Sequence, residues 1–205
     1  MKIIEFINTT SLLIIPMFIW GTIACGLIIE KYRSLNSAKK QLKHIHNTLL
    51  EMEKKENIIL KNTSIQTKNT YIYTFINIMN HNLNLNEDLL DKRLTNSINL
   101  IDSECDKHMS TIQIMGNLFP MLGLLGTVIG MIKIFKALAI HGAGNMAIVS
   151  GGISEALITT EIGLISALPI LFIHNQLTTK KNVIITTLDY YKNKIITLKS
   201  ILSSR

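Results

Sequence analysis

Two carboxylates, Glu155 and Glu161, lie inside an otherwise apolar run, Ile153 to Ile173, and are the residues of this chain best placed to do chemistry. A charged side chain at a bilayer centre costs about 2.5–3.5 kcal/mol on insertion scales, so an acid kept there points to function. Burial penalises the charged form of a carboxylate, and an acid in such a setting can take up and hand on a proton near neutral pH. At 100° per residue, Thr159 and Ser166 fall within about 40° of Glu155, and Thr160 about 140° away. The stripe Glu155, Thr159, Ser166 is therefore expected to face a pore, and Thr160 a helix boundary. A competing reading puts Glu155 at a helix start, stabilised by the helix dipole with Ser154 as cap. Against it, the apolar residues Met146 to Val149 let the helix begin earlier and bury the acid. Glu161, about 120° from Glu155, stands open between a second pore-accessible acid and a carboxylate paired with a partner chain or a helix-two lysine. Lys133 and Lys136, near the far end of the preceding apolar run, read as snorkelling to the interface.

Other chemistries lack their residues. There is no Walker loop, nucleophile elbow or dinucleotide fingerprint, so nucleotide hydrolysis is not an energy source and no cofactor is expected. The histidines, His44, His46, His81, His108, His141 and His174, have no zinc-ligand spacing. Cys25 sits in an apolar run and Cys105 in a charged one, far apart, which argues against a disulfide or a metal site. An intramembrane protease would need a Ser or Asp dyad in facing helices, and no aspartate lies in any apolar segment, so an enzyme is not expected. The net charge of +7 sits beside acids or at the flanks of apolar runs without a nucleic-acid-binding motif, so no nucleic acid is expected. Ion flow down a gradient is the energy source left.

The elements that would position these residues are membrane helices. The chain is 47% hydrophobic and 17% charged, against roughly a quarter charged in an average soluble domain. Ser11 to Ile29 is uncharged and long enough to cross a hydrocarbon core of about 30 Å; Lys31, Tyr32 and Arg33 make a poor cleavage site, so it reads as an uncleaved anchor. Ile112 to Ile140 carries Pro120 and the small-residue pattern Gly123, Gly126, Thr127, Gly130, which lets helix backbones approach closely and marks a packed interface.

Lys31, Arg33, Lys39, Lys40 and Lys43 follow the first segment and Lys180 and Lys181 the third, whereas the connector from His141 to Ser150 has no Lys or Arg. Basic flanks stay inside, which places the amino terminus outside and the carboxyl terminus in the cytoplasm. The expected class is an all-α integral membrane protein with three transmembrane helices and long cytoplasmic helical extensions. Its expected order is an outer tail 1–10, helix 11–29, a cytoplasmic helical domain 30–111, helix 112–140, a short outer loop 141–146, helix 147–175 and a cytoplasmic helix 176–205. Within 30–111, Leu42, Ile45, Leu49, Met52 and Leu90, Leu94, Ile98, Ile101 have helical spacing, with a turn at Asn62 to Asn69. The tail face Ile184, Leu188, Tyr191, Ile195, Leu198 predicts that the third membrane helix continues into the cytoplasm.

The stretch from Pro120 to Phe135 (PMLGLLGTVIGMIKIF) resembles the second membrane helix of the MotA/TolQ/ExbB proton channel family, and Gly152 to Pro169 (GISEALITTEIGLISALP), followed by Asn175, resembles the third. The resemblance implies a homopentamer whose second and third helices ring a pore around the single-span helices of an ExbD- or TolR-like partner bearing an aspartate. It implies that Glu155 stands at the family's pore glutamate, Thr127 at the helix-two threonine and Thr160 at the helix-three threonine. Proton passage would then drive a TonB- or TolA-like protein from the inner membrane. Three helices are unlike the four-helix flagellar stator. Two positions depart from the pattern: Gly151, where proline is frequent, and Glu161, where a small apolar residue is common. The pair Gly151–Gly152 with Thr-Thr-Glu looks closer to the ExbB branch than to TolQ.

Overall fold

The computed structural model describes residues 14–55, 75, 86–142 and 146–203. Four long helices hold nearly all of them: α1 (Ile14–Lys55), α2 (Glu87–Asp106), α3 (Met109–His141) and α4 (Met146–Ser203), with no strand among the described residues. Three helices are long and apolar enough to cross a membrane, one in each of α1, α3 and α4.

The first apolar segment does not end in a turn. From Glu30 to Lys55 the sequence has neither Gly nor Pro, so nothing interrupts the backbone ladder, and α1 runs from the apolar stretch into the charged one as a single helix. The third apolar segment and the charged stretch after it form one helix of 58 residues. A break comes where no Gly or Pro announces it: α2 ends at Asp106, its last turn closed by the Lys107 amide donating to the carbonyls of Ser103 and Glu104. His108 then takes a φ of 65°, a left-handed conformation uncommon outside glycine, and α3 starts at Met109. At the other end of α3, Gly142 has a φ of 72°, the helix-ending conformation that glycine adopts without a Cβ clash. The expected turn at Asn62 to Asn69 and the outer tail lie outside the described residues.

The chain divides into two compact units, Met1–Ile29 with Ser110–Asn175, and Glu30–Met109 with Gln176–Arg205. In the first, Met17, Ala24 and Ile28 of α1 pack with Ile112 and Phe119 of α3 and Ala167 and Ile170 of α4. Its outward surface is apolar too, with Phe18, Leu124, Leu168 and Phe172 all more than 60% exposed. A surface of that kind is costly against water and neutral against acyl chains. Pro120 and Pro169 sit inside α3 and α4, a placement that neighbouring helices make tolerable in membrane helices.

In the second unit α2 buries Leu90, Leu94, Ile98, Ile101 and Cys105. The charged groups fix how the helices run. Lys192 of α4 bonds Asp91 at 3.2 Å, and Lys181 bonds Asp102 at 2.9 Å and Asp106 at 2.7 Å, so α2 lies antiparallel to α4. Lys31 of α1, only 8% exposed, donates to the Glu104 carbonyl at 3.0 Å. Burial pulls the Lys31 ammonium below its usual range, against the pull of the acids around it. Burial likewise pushes the Cys105 thiol up.

Candidate functional site

The α3–α4 seam that carries the acids is set by small residues. A Cβ on Gly163 would lie 2.7 Å from the Phe119 carbonyl, and one on Gly123 would lie 3.0 Å from the Thr160 Cα. A Cβ on Gly130 would meet that of Ala156 at 2.6 Å, and Gly126 and Gly152 are filled against Thr159 and Ile134. Gly123, Gly126 and Gly130 thus lie where α3 comes closest to α4. Their counterparts on α4 are Gly152, which the sequence marks only as half of the Gly151–Gly152 pair, and Gly163, to both of which the same small-residue logic applies.

With the backbones this close, polar side chains reach across. The Thr160 hydroxyl donates to the Gly123 carbonyl at 3.0 Å. Thr127 and Thr159 donate to carbonyls one turn back in their own helices, Leu124 and Ala156, each at 2.7 Å. A donating hydroxyl keeps its lone pairs as acceptors, so the threonines can still orient a water or a proton donor.

Because α4 starts at Met146, Glu155 is in its third turn and is not an N-terminal capping residue. Its Oε1 accepts from Lys133 Nζ at 3.1 Å, with 23% of the acid's side chain exposed and 54% of the lysine's. Of the two α3 lysines open as partners for Glu161, Lys133 is thus engaged by Glu155, and Glu161 is exposed. Lys133 does not merely snorkel; Lys136 is exposed.

The expected stripe Glu155, Thr159, Ser166 does not form one open face in this chain. Thr159 is fully buried, pressed against Gly126, because it lies opposite a glycine in the closest part of the seam. Ser166 is half-buried and lines a groove of about 780 Å³ with Met17, Gly21, Cys25 and Phe119, on the side of α1. Glu155, Thr159 and Thr160 are therefore brought into one seam with Thr127 a turn away, while Ser166 and Glu161 point elsewhere. Thr160, expected at a helix boundary, is there. The described residues contain no cluster of metal-ligating side chains.

Residues 42–190 match the model of the MotA/TolQ/ExbB proton channel family. Among curated proteins, the chain is similar to the biopolymer transport protein ExbB of Salmonella typhimurium, 43% identical over 61 residues, which is 30% of this chain and 25% of that protein. It is similar to the Tol-Pal system protein TolQ of Pseudomonas aeruginosa, 38% identical over 71 residues, 35% of this chain and 31% of that one. To the ExbB of Helicobacter pylori it is 30% identical over 95 residues, 46% of this chain and 66% of that protein. The matched stretches thus span about a quarter to a third of the first two relatives.

Proposed function

The chain belongs to the MotA/TolQ/ExbB proton channel family, and on that footing we propose that it is the proton-channel subunit of a bacterial inner-membrane motor energising a TonB-type outer-membrane transport system. In this reading five copies form a ring, with the amino terminus in the periplasm and the helical extensions of α1 and α4 in the cytoplasm. Glu155 takes up and releases the proton, and Thr127 and Thr160 orient it on its way. An ExbD- or TolR-like single-span helix turns within the ring and passes force to a TonB- or TolA-like protein. The chain performs no covalent chemistry.

The observation that carries the proposal is Glu155 itself. It is a carboxylate in the third turn of a membrane helix, at the packed seam with α3 and five residues before a threonine that bonds across to that helix. A non-conducting scaffold needs the glycines but has no use for an acid that costs insertion energy. The Tol-Pal role is the alternative within the family, and the TolQ relative supports it as the ExbB relatives support the TonB role. The Gly151–Gly152 pair and the Thr-Thr-Glu sequence favour ExbB.

Glu155→Gln tests the mechanism, since it keeps shape and hydrogen bonding and removes the titratable proton. The ring, counted by native mass spectrometry, is expected to persist with five copies while energy-dependent uptake is lost. Full uptake by an assembled Glu155→Gln protein would remove the proton-carrier role.

A further inference from the structure

We propose that Lys133 is the intramembrane counter-ion that holds Glu155 as a carboxylate in the resting subunit, and that its ammonium has to leave before the acid takes up a proton. The proposal rests on the reading of Glu155 as the proton carrier and adds the residue that controls when it can act.

The pair is placed by the backbone and not by chance approach of two long side chains. Gly130 against Ala156 and Gly152 against Ile134 lock the register of α3 and α4 on either side of it, so Lys133 Nζ and Glu155 Oε1 meet at 3.1 Å from positions 22 residues apart in sequence. No other described charge competes for the acid. Between Ile14 and Ile29, α1 carries no charged residue; Lys136 is exposed a turn further along α3; Glu161 is exposed about 120° around α4.

Exposure decides which partner moves. The carboxylate is held in the seam with 23% of its side chain exposed, whereas the lysine has 54% exposed and a flexible four-carbon stem. An ion pair also lowers the cost of placing an acid in the membrane. Removing one member of such a pair leaves an uncompensated charge, which the remaining acid relieves by binding a proton. Lys133 and a proton therefore compete for the same oxygen. An anionic group arriving from outside the subunit, or water at the ammonium, draws the lysine off and opens the acid to protonation.

Dicyclohexylcarbodiimide, which adds to protonated carboxyl groups in apolar surroundings, reads the competition directly. Labelling of the Glu155 peptide is followed by mass spectrometry on the assembled protein in neutral buffer, with Glu155→Gln as the blank. Lys133→Met is expected to label about fivefold faster than the native chain, and Lys133→Arg to stay within about twofold of it. Equal rates for Lys133→Met and the native chain would overturn the proposal.

Lys133→Cys gives a second reading on one folded protein. Modification with aminoethyl methanethiosulfonate restores an ammonium and is expected to slow labelling, whereas the methyl reagent adds no charge and is expected not to. The same rate after both would also overturn it. If Glu155→Gln supports full uptake while labelling still follows the charge at 133, the ion pair stands and the proton-carrier reading falls. If Glu155→Gln is inactive and labelling ignores residue 133, only the counter-ion proposal falls.

Discussion

The Thr160 hydroxyl donates to the Gly123 carbonyl at 3.0 Å, a bond between two helices that exists because a glycine brings the backbone of α3 against α4. Cross-helix hydrogen bonds in membranes contribute about 0.6 kcal/mol on average and up to about 1.7. Thr160→Val, close in volume, is expected to lower the stability of the detergent-solubilised protein by about 1 kcal/mol, and Thr160→Ser to restore most of it. Unfolding midpoints of the three proteins in one detergent check this. Equal midpoints for native and Val forms would mean that the bond contributes nothing, leaving any functional loss in Thr160→Val to the hydroxyl's part in proton passage.

The seam should tolerate an added methyl group at some glycines and not at others. At Gly163 the new Cβ would face the Phe119 carbonyl at 2.7 Å, and a backbone atom cannot turn aside, so Gly163→Ala is expected to cost about 1–3 kcal/mol. Gly151 has nothing within 4 Å of its Cβ position. Gly151→Ala is expected within about 0.5 kcal/mol of the native chain or slightly more stable, since alanine is the better helix former. Parallel melts decide it, and equal losses at both positions would contradict the packing described here.

How much of this was legible in sequence depended on the range of the interaction. The apolar segments were legible because crossing a membrane demands some 20 residues without a polar break, and the glycine face of α3 because its spacing repeats within one helix. The continuity of α1 was legible in principle from the absence of Gly and Pro after Ile29, but the shift from apolar to charged residues reads as a boundary. The break at His108, where φ is 65°, was not legible, since no Gly or Pro marks it. The Lys133–Glu155 pair and the burial of Thr159 depend on the register of α3 against α4, and helical angles within α4 alone cannot supply that.

The orientation expected from the basic flanks can be tested chemically. Met146 opens α4 and is 75% exposed, and Lys92 is an exposed residue of α2. In intact cells an impermeant maleimide is expected to label Met146→Cys and to spare Lys92→Cys, with the pattern reversing in inverted vesicles. The native Cys105 should contribute little background, because burial raises its thiol and thiolates are the reactive form. Labelling of Lys92→Cys in intact cells would invert the topology.

Lys181 bridges Asp102 and Asp106 with its own side chain only 12% exposed. Burial alone would lower its ammonium, but the bonds to Asp106 and Asp102 outweigh it, and the folded value lies above the ordinary 10.5. A raised base contributes stability that is fully present below 10.5 and is lost as pH rises through the folded value. Lys31 works in the opposite sense: burial lowers it, so between its lowered value and 10.5 the unfolded chain holds a proton that the folded chain does not, and stability rises with pH. Lys181→Met is therefore expected to lose roughly 1 kcal/mol at neutral pH, a modest figure because both carboxylates are about half exposed. It should also lose the decline in stability above 10.5 that the bridge predicts for the native protein. Lys31→Met should retain that decline and lose the rise leading up to 10.5. Thermal melts followed by circular dichroism from pH about 8 to about 11.5 separate the two slopes. If Lys181→Met declines above 10.5 as steeply as the native protein does, the bridge is not what holds that lysine charged.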